Sequence, residues 1–195
     1  MNRKPRILIF IDWYLPGYRA GGPTRSCVNL IEHLKGDVDF SVVTRDADYM
    51  RDDKFPGVKS NEWNVLPDET RVYYFSEDGL SKAAIYSLLD NEQYDGVYLN
   101  GIFSKYFTIT PLQYFKGRSN KKVIVASRGM LADSALAIKK LKKRLFLLFA
   151  KQFNLFGGVI FHATNEQEAS SVRKVFGGKV QVVVAPNLPE KLVSV

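Results

Sequence analysis

The stretch "ILIFIDWYLPGYRAGGPTRSCVNLIEHLKG", Ile7 to Gly36, decides the fold. An unbroken apolar run, Ile7 to Ile11, leads into a loop carrying Gly17, Gly21 and Gly22, after which Cys27, Val28, Leu30, Ile31 and Leu34 recur at helical spacing. The helix is expected to begin at Pro23 or Thr24, because proline suits a first turn, and to stop at Gly36. A strand that is apolar throughout, rather than alternately, is one covered on both faces. Strand, glycine loop and helix together open a parallel α/β unit.

Six further short apolar runs follow, at Asp39 to Thr44, Val72 to Phe75, Gly96 to Leu99, Val123 to Ala126, Val159 to Ala163 and Val180 to Val184. Between most of them lie helical segments. One starts at Asp78 or Ser81 and ends near Asn91, another covers Thr110 to Lys116, and a long basic one runs from Asp133 to about Phe153. The last opens on a capping-box spacing of Thr164 and Gln167 and ends at Gly177. Right-handed crossovers then build an α/β protein with a Rossmann-like, doubly wound, mostly parallel sheet of about seven strands and helices on both faces. Arg45 to Thr70 shows no sustained period, and so long a loop is expected to reach over a ligand face. Pro186 and Pro189 end the last unit, so a domain over residues 1–186 and a truncated interdomain linker over 187–195 are expected.

At 195 residues, with 46% hydrophobic and 25% charged, the chain can bury one sizeable core. Its 28 Lys and Arg against 20 Asp and Glu give +8, which favours anionic partners: phosphorylated small molecules, acidic membrane or nucleic acid. The third is set aside, because no RNP sequence, zinc-finger spacing or recognition helix accompanies the charge. No run approaches the roughly 20 apolar residues of a membrane span, and no cleavage site follows the first strand. A cytoplasmic location is expected, extending at most to the inner face of a membrane. Cys27 is the lone cysteine, and with only His33 and His162 beside it neither a disulfide nor a metal site is expected. No G-x-S-x-G elbow points to a nucleophilic serine.

In an open parallel sheet the ligand crevice lies beyond the carboxyl ends of the strands, where the Gly21 and Gly22 loop opens. Backbone without Cβ atoms can approach a ligand closely, and the first free amides of the next helix favour a phosphate or diphosphate. Arg19 and Arg25 add charge nearby. A tight turn with close helix packing is the other reading of the same glycines. The spacing is that of neither a dinucleotide loop nor a P-loop.

Asp12, at the end of the first strand, either orients an acceptor hydroxyl or makes an Asx bond to the adjacent turn. Trp13, Tyr14 and Tyr18 either meet sugar faces or a lipid carrier, or pack beneath the loop. Glu166 and Glu168 fall in a first helical turn and are expected to stabilise its dipole. Lys139, Lys140, Lys142, Lys143 and Arg144 interleave with Leu141, Leu145, Leu148 and Phe149, while Phe146, Leu147 and Phe153 lie outside that stripe. Such a helix either lies on anionic lipid through Lys139 to Phe153 or is a core helix with a solvated basic face.

"DWYLPGYRAGGPTRSCVNLIEHL" (12–34), "YLNGIFS" (98–104), "ASRGMLADSALAIKKLKKRL" (126–145), "FHATNEQEASSV" (161–172) and "VVVAPNLPE" (182–190), in this order and spacing, resemble the amino-terminal half of a family-4 glycosyltransferase of the GT-B fold. The resemblance spans nearly the whole chain. It implies an acceptor-binding domain facing a second Rossmann-like domain that grips the nucleotide of a sugar donor. It also implies transfer with retention of configuration and no required metal or cofactor, the nucleotide sugar being a substrate. Gly21, Gly22 and Arg25 then lie beside the donor diphosphate, while Tyr14, Arg19, Asn100 and Ser127 face a glycan or lipid-linked acceptor. "APNLPE" resembles the lead into the second domain, whose glutamate-bearing donor motif does not occur here. Relatives often carry histidine where this chain has Asn100 and, at another strand tip, Ser127, Arg128 and Gly129. Arg128 is therefore a candidate contact to phosphate, sugar or acceptor and, with Asp12, a candidate for the chemistry of a cell-surface polysaccharide glycosyltransferase. A complete, non-catalytic Rossmann-like module that binds a phosphorylated metabolite is the alternative.

Overall fold

A computed structural model describes residues 3–118, 121–138 and 140–191. Eight strands form one sheet: β1 Arg6–Phe10, β2 Asp39–Arg45, β3 Glu62–Val65, β4 Arg71–Phe75, β5 Gly96–Asn100, β6 Lys122–Ala126, β7 Ile160–Ala163 and β8 Gln181–Val184. Their order is β3-β4-β2-β1-β5-β6-β7-β8, and every pairing is parallel except β3 with β4. The helices are α1 Gly22–Leu34, α2 Lys82–Asn91, α3 Thr110–Phe115, α4 Asp133–Ala137, α5 Lys140–Gln152 and α6 Glu166–Phe176. The architecture is Rossmann-like, with helices on both sides of the sheet.

Alternation along β1 explains its continuous apolar run. Leu8 and Phe10 join one core with α2, α3, α5 and α6, while Ile9 joins Cys27 and Ile31 of α1 in a second core on the opposite face. Burying a side chain such as Phe10 or Leu99 completely contributes about 1.5 to 3 kcal/mol. β1 runs to β2 on one side and pairs β5 on the other, so the direction of winding reverses between β1 and β5. A crevice outside the strand tips belongs at that switch point.

Three expectations from sequence change. The long loop after β2 contains β3, whose Trp63 donates to Glu92 Oε1 at 2.6 Å and lies under the Arg71 guanidinium at 4.4 Å. The basic helix is two helices, since Ile138 takes an extended conformation between them. The cap of α6 is Asn165, whose side chain accepts from the Glu168 amide at 2.9 Å, one residue later than the Thr164 box. The segment that follows β8 does not leave the domain at once. Asn29 Nδ2 donates to the Leu188 carbonyl at 2.9 Å and Arg128 donates to Asn187 Oδ1 at 2.7 Å, so this segment returns across the strand tips to α1. Residues 192–195 of the expected linker lie outside the described residues.

The β1–α1 loop is held from the side by Asp48, beyond β2, whose carboxylate accepts from the Tyr18, Arg19 and Tyr49 amides at 2.7 to 3.3 Å. Gly17 permits this approach, because a Cβ there would stand 2.8 Å from Phe55 Cζ and 2.9 Å from Asp48 Oδ1. Gly17→Ala is expected to cost about 1 to 3 kcal/mol through overpacking. A urea titration with an unshifted midpoint would contradict this.

Candidate functional site

At the switch point the strand tips carry a cleft in two chambers. The first, about 440 Å³, lies between the start of α1 (Gly22, Pro23, Ser26), the β6–α4 loop (Arg128, Gly129, Ala132) and the start of α6 (Thr164, Asn165, Gln167, Glu168). The second, about 370 Å³, is lined by Ile11, Asp12, Trp13, Arg19, Ala20, Pro23, Tyr49, Asn100 and Met130. Pro23 belongs to both. Arg128 of the first chamber donates from Nε to Asn100 Oδ1 of the second at 2.8 Å, so one ion-dipole contact couples the two.

The first chamber suits an anion. Gly21 takes φ 68°, a conformation that side chains rarely adopt, and starts α1 with no side-chain cap. Pro23 carries no N–H and the Arg25 amide donates to Gly21 O at 3.2 Å, which leaves the Gly22 and Thr24 amides as the helix's free donors among the described residues. A Cβ on Gly22 would meet nothing within 4 Å, so the backbone there is open to a ligand. The start of α6 faces the same space, and two helix N-termini converge on it. Gly21, Thr24 and Arg25 do not share this chamber: all three line a separate cavity of about 850 Å³ on the far side of the loop. Of the two free α1 amides, therefore, only that of Gly22 belongs to a residue lining the first chamber, and the Arg25 side chain lies elsewhere.

Arg128 sits at φ 49°, in the left-handed region, at a cost of roughly 1 to 2 kcal/mol. Its guanidinium donates to Asn100, to Asn187 and, at 3.2 Å, to the Tyr98 hydroxyl. These bonds do not exhaust its donors. Tyr98 passes the network on to His162. The Ala185 carbonyl can only accept, so His162 Nε2 carries the proton at 2.8 Å and Nδ1 accepts from Tyr98 at 2.7 Å. Burial pushes the Tyr98 hydroxyl up to about 12 against the opposing pull of Arg128, so it remains a neutral donor.

What fixes the loop under Arg128 is Glu168, which is 7% exposed. Oε1 accepts from Ser127 Oγ at 2.8 Å and from the Gly129 amide at 2.5 Å, and Oε2 accepts from the amide and hydroxyl of Thr164, both at 2.6 Å. Burial works against the charged form, yet the bonds from Thr164, Gly129 and Ser127 outweigh it and hold the carboxyl below its ordinary range. Dipole stabilisation, the role expected from sequence, is thus secondary to a structural knot. Ser127 is fully buried in it and does not face an acceptor.

The second chamber carries mixed chemistry. Trp13 and Tyr49 meet edge to face with centroids 4.8 Å apart, giving an aromatic wall, and Tyr49 brings the loop after β2 to the cleft. Asp12 Oδ1 accepts from Ser104 Oγ at 2.9 Å, and among the described residues no bond joins it to the adjacent turn. Ser104 also caps a π-helical turn, Lys105–Ile109, by accepting from the Phe107 amide at 3.1 Å. Burial raises the Asp12 carboxyl, opposed by the Ser104 bond and by Arg45 at 3.8 Å. Asn100 is 5% exposed and its Nδ2 has no acceptor among the described residues, an arrangement that costs about 1 to 3 kcal/mol. Arg19 lines the chamber as expected. Tyr14 does not: it is fully buried in the second core, beneath the loop.

Asp12, Arg19, Gly22, Asn100 and Arg128 lie at the cleft, as their places at strand ends and in the glycine loop imply, whereas no sequence signal marks Asp48, Tyr98, His162 bonded to Tyr98, Asn187 or the Glu168 knot. Among the described residues no three His, Cys, Asp or Glu side chains gather in a way that could hold a metal ion. Comparison with models of protein families and with curated proteins returns no match.

Glu168→Gln replaces an acceptor by a donor among N–H and O–H donors and is expected to cost about 2 kcal/mol or more. Because the folded value is depressed, the stability this carboxylate contributes is complete above its ordinary 4.5 and is lost as pH falls through the folded value. Denaturant titrations of both proteins should therefore converge in acid. A constant gap at every pH would contradict the charged knot.

Proposed function

We propose that this domain is the acceptor-binding half of a retaining glycosyltransferase that moves a sugar from a nucleotide-sugar donor to a glycan or lipid-linked acceptor. The observation that carries the reading is the open Gly22 backbone facing Arg128 across a chamber that adjoins a second, aromatic-walled one. The ordered set of motif resemblances supports it. A facing domain grips the nucleotide, and this chain supplies the other wall.

In this mechanism the acceptor lies in the second chamber against Trp13 and Tyr49, and the Asp12 carboxylate orients its reacting hydroxyl. Desolvation makes that carboxylate more basic than a solvated one. As the bond from anomeric carbon to diphosphate lengthens, negative charge grows on the departing oxygen. The Gly22 amide and the remaining Arg128 donors meet it there, already oriented, so no reorganisation is needed as charge develops. The Arg128 contact to Asn100 keeps the two chambers in register.

A second reading has its own support, since both helix starts of the anion chamber come from this one chain. A non-catalytic module would bind a phosphorylated metabolite without help. Titrating the chain with nucleotide sugars separates the two: the enzyme reading expects weak binding that strengthens when a facing domain is present, and the module reading expects tight binding at once. In the active form, Gly22→Val and Arg128→Ala are each expected to lower turnover by about 100-fold. Gly22→Ala should leave stability unchanged, because its Cβ meets open space. Asp12→Asn should lower turnover by roughly 100-fold or more without lowering stability, since it relieves a buried charge. Full turnover in the Gly22 and Arg128 variants would remove the proposed transition-state contacts.

A further inference from the structure

α5 carries apolar residues on two opposite sides, and the fold uses only one of them. Phe146, Leu147 and Ala150 turn inward, with the Phe146 ring 5.6 Å from Phe103 and Lys143 Nζ bonded to the Ala135 carbonyl at 2.6 Å. Opposite them, at about 100° per residue, Leu141, Leu145 and Leu148 form an outward row with Phe149 beside it. Leu141 is 73% exposed, Leu148 63%, Phe149 60% and Phe153 61%, and Ile138 at the end of α4 continues the patch at 66%. The Phe149 and Phe153 rings stack 6.4 Å apart in the open. So the stripe that the core would claim by spacing faces solvent instead.

Charge decides what covers it. Lys140, Arg144 and Lys151 run along one flank of the apolar row and Lys142 along the other, all exposed, with no acidic residue in the helix. The nearest acid along the chain, Asp133, is paired with Lys174 at 2.9 Å. Lys139, expected in the same basic face, lies outside the described residues. A second copy docked on this row would bring like charges together. A nucleic acid would meet leucine and phenylalanine where phosphate contacts are needed. An apolar ridge bracketed by lysine and arginine matches an anionic bilayer, into which the ridge sinks while the flanks reach headgroup phosphates.

We infer that α5, with Ile138, docks this domain onto anionic membrane surface. The inner side of α5 packs through Phe146 on Phe103, three residues past Asn100 of the cleft, so docking holds the cleft near the bilayer, within reach of an acceptor carried on lipid. Lipid docking itself stands whether or not the cleft transfers sugar.

Flotation of the whole chain with mixed phosphatidylglycerol and phosphatidylcholine vesicles, and with phosphatidylcholine alone, tests it. Preference for the anionic vesicles is expected, weakened by salt. Replacing Lys140, Arg144 and Lys151 by Gln should reduce partitioning roughly 100-fold, at about fivefold for each basic residue near the surface. Leu148→Ser with Phe149→Ser should abolish it, and circular dichroism should show both proteins folded because these side chains are exposed. A Phe149→Trp reporter should shift its emission to the blue with anionic vesicles. Equal partitioning into both vesicle types, an unshifted reporter, or self-association through this face without flotation would overturn docking.

Discussion

Everything at the cleft depends on one buried carboxylate. Glu168, drawn in from the first turn of α6, accepts four hydrogen bonds from Ser127, Gly129 and Thr164. Those donors belong to two different crossover loops, the one after β6 and the one after β7, so a single side chain sets their spacing. With Ser127 and Gly129 pinned on either side, Arg128 is carried into the left-handed region and its guanidinium is directed back over the strand tips. A buried acceptor with every donor satisfied is rigid, and a rigid loop can offset the backbone strain at Arg128.

From there the physics divides between the chambers. Helix amides and a left-over fraction of one guanidinium give the first a positive character suited to phosphate. Aromatic faces and a desolvated carboxylate give the second a character suited to hydroxyl-rich ligands. The glycines of the opening loop serve three separate ends: Gly17 lets the loop pass Asp48 and Phe55, Gly21 supplies the positive φ that starts α1, and Gly22 leaves backbone open to the cleft. The chain that returns from β8 joins through Asn187 and Ala185, tying the tail to Arg128 and His162.

The parallel sheet was legible because its inner strands are covered on both sides and read as unbroken β-branched and aromatic runs. β3 was not, because "EWNV" is a short edge strand whose antiparallel partner and Arg71 stacking are tertiary events. The break at Ile138 carries no proline or glycine to announce it. Thr164 and Asn165 are both competent caps, and the choice between them was made when Glu168 was pulled toward Ser127 and Gly129. Spacing alone could not orient α5, since a helix apolar on both sides has no preferred face until its neighbours are placed. The cleft's membership was legible from strand ends, but Tyr14 and Ser127 were turned away from it by tertiary partners, the second core around Tyr14 and the Glu168 carboxylate bonded to Ser127.

The most direct test is amide-resolved nuclear magnetic resonance of nitrogen-labelled chain during titration with inorganic pyrophosphate. Saturable shifts are expected at Gly22, Ser26 and Gly129, with the Arg128 side chain responding alongside them. Pyrophosphate that leaves these amides unmoved, while perturbing residues elsewhere or none, would contradict an anion-binding cleft at the mouth of β1 and α1.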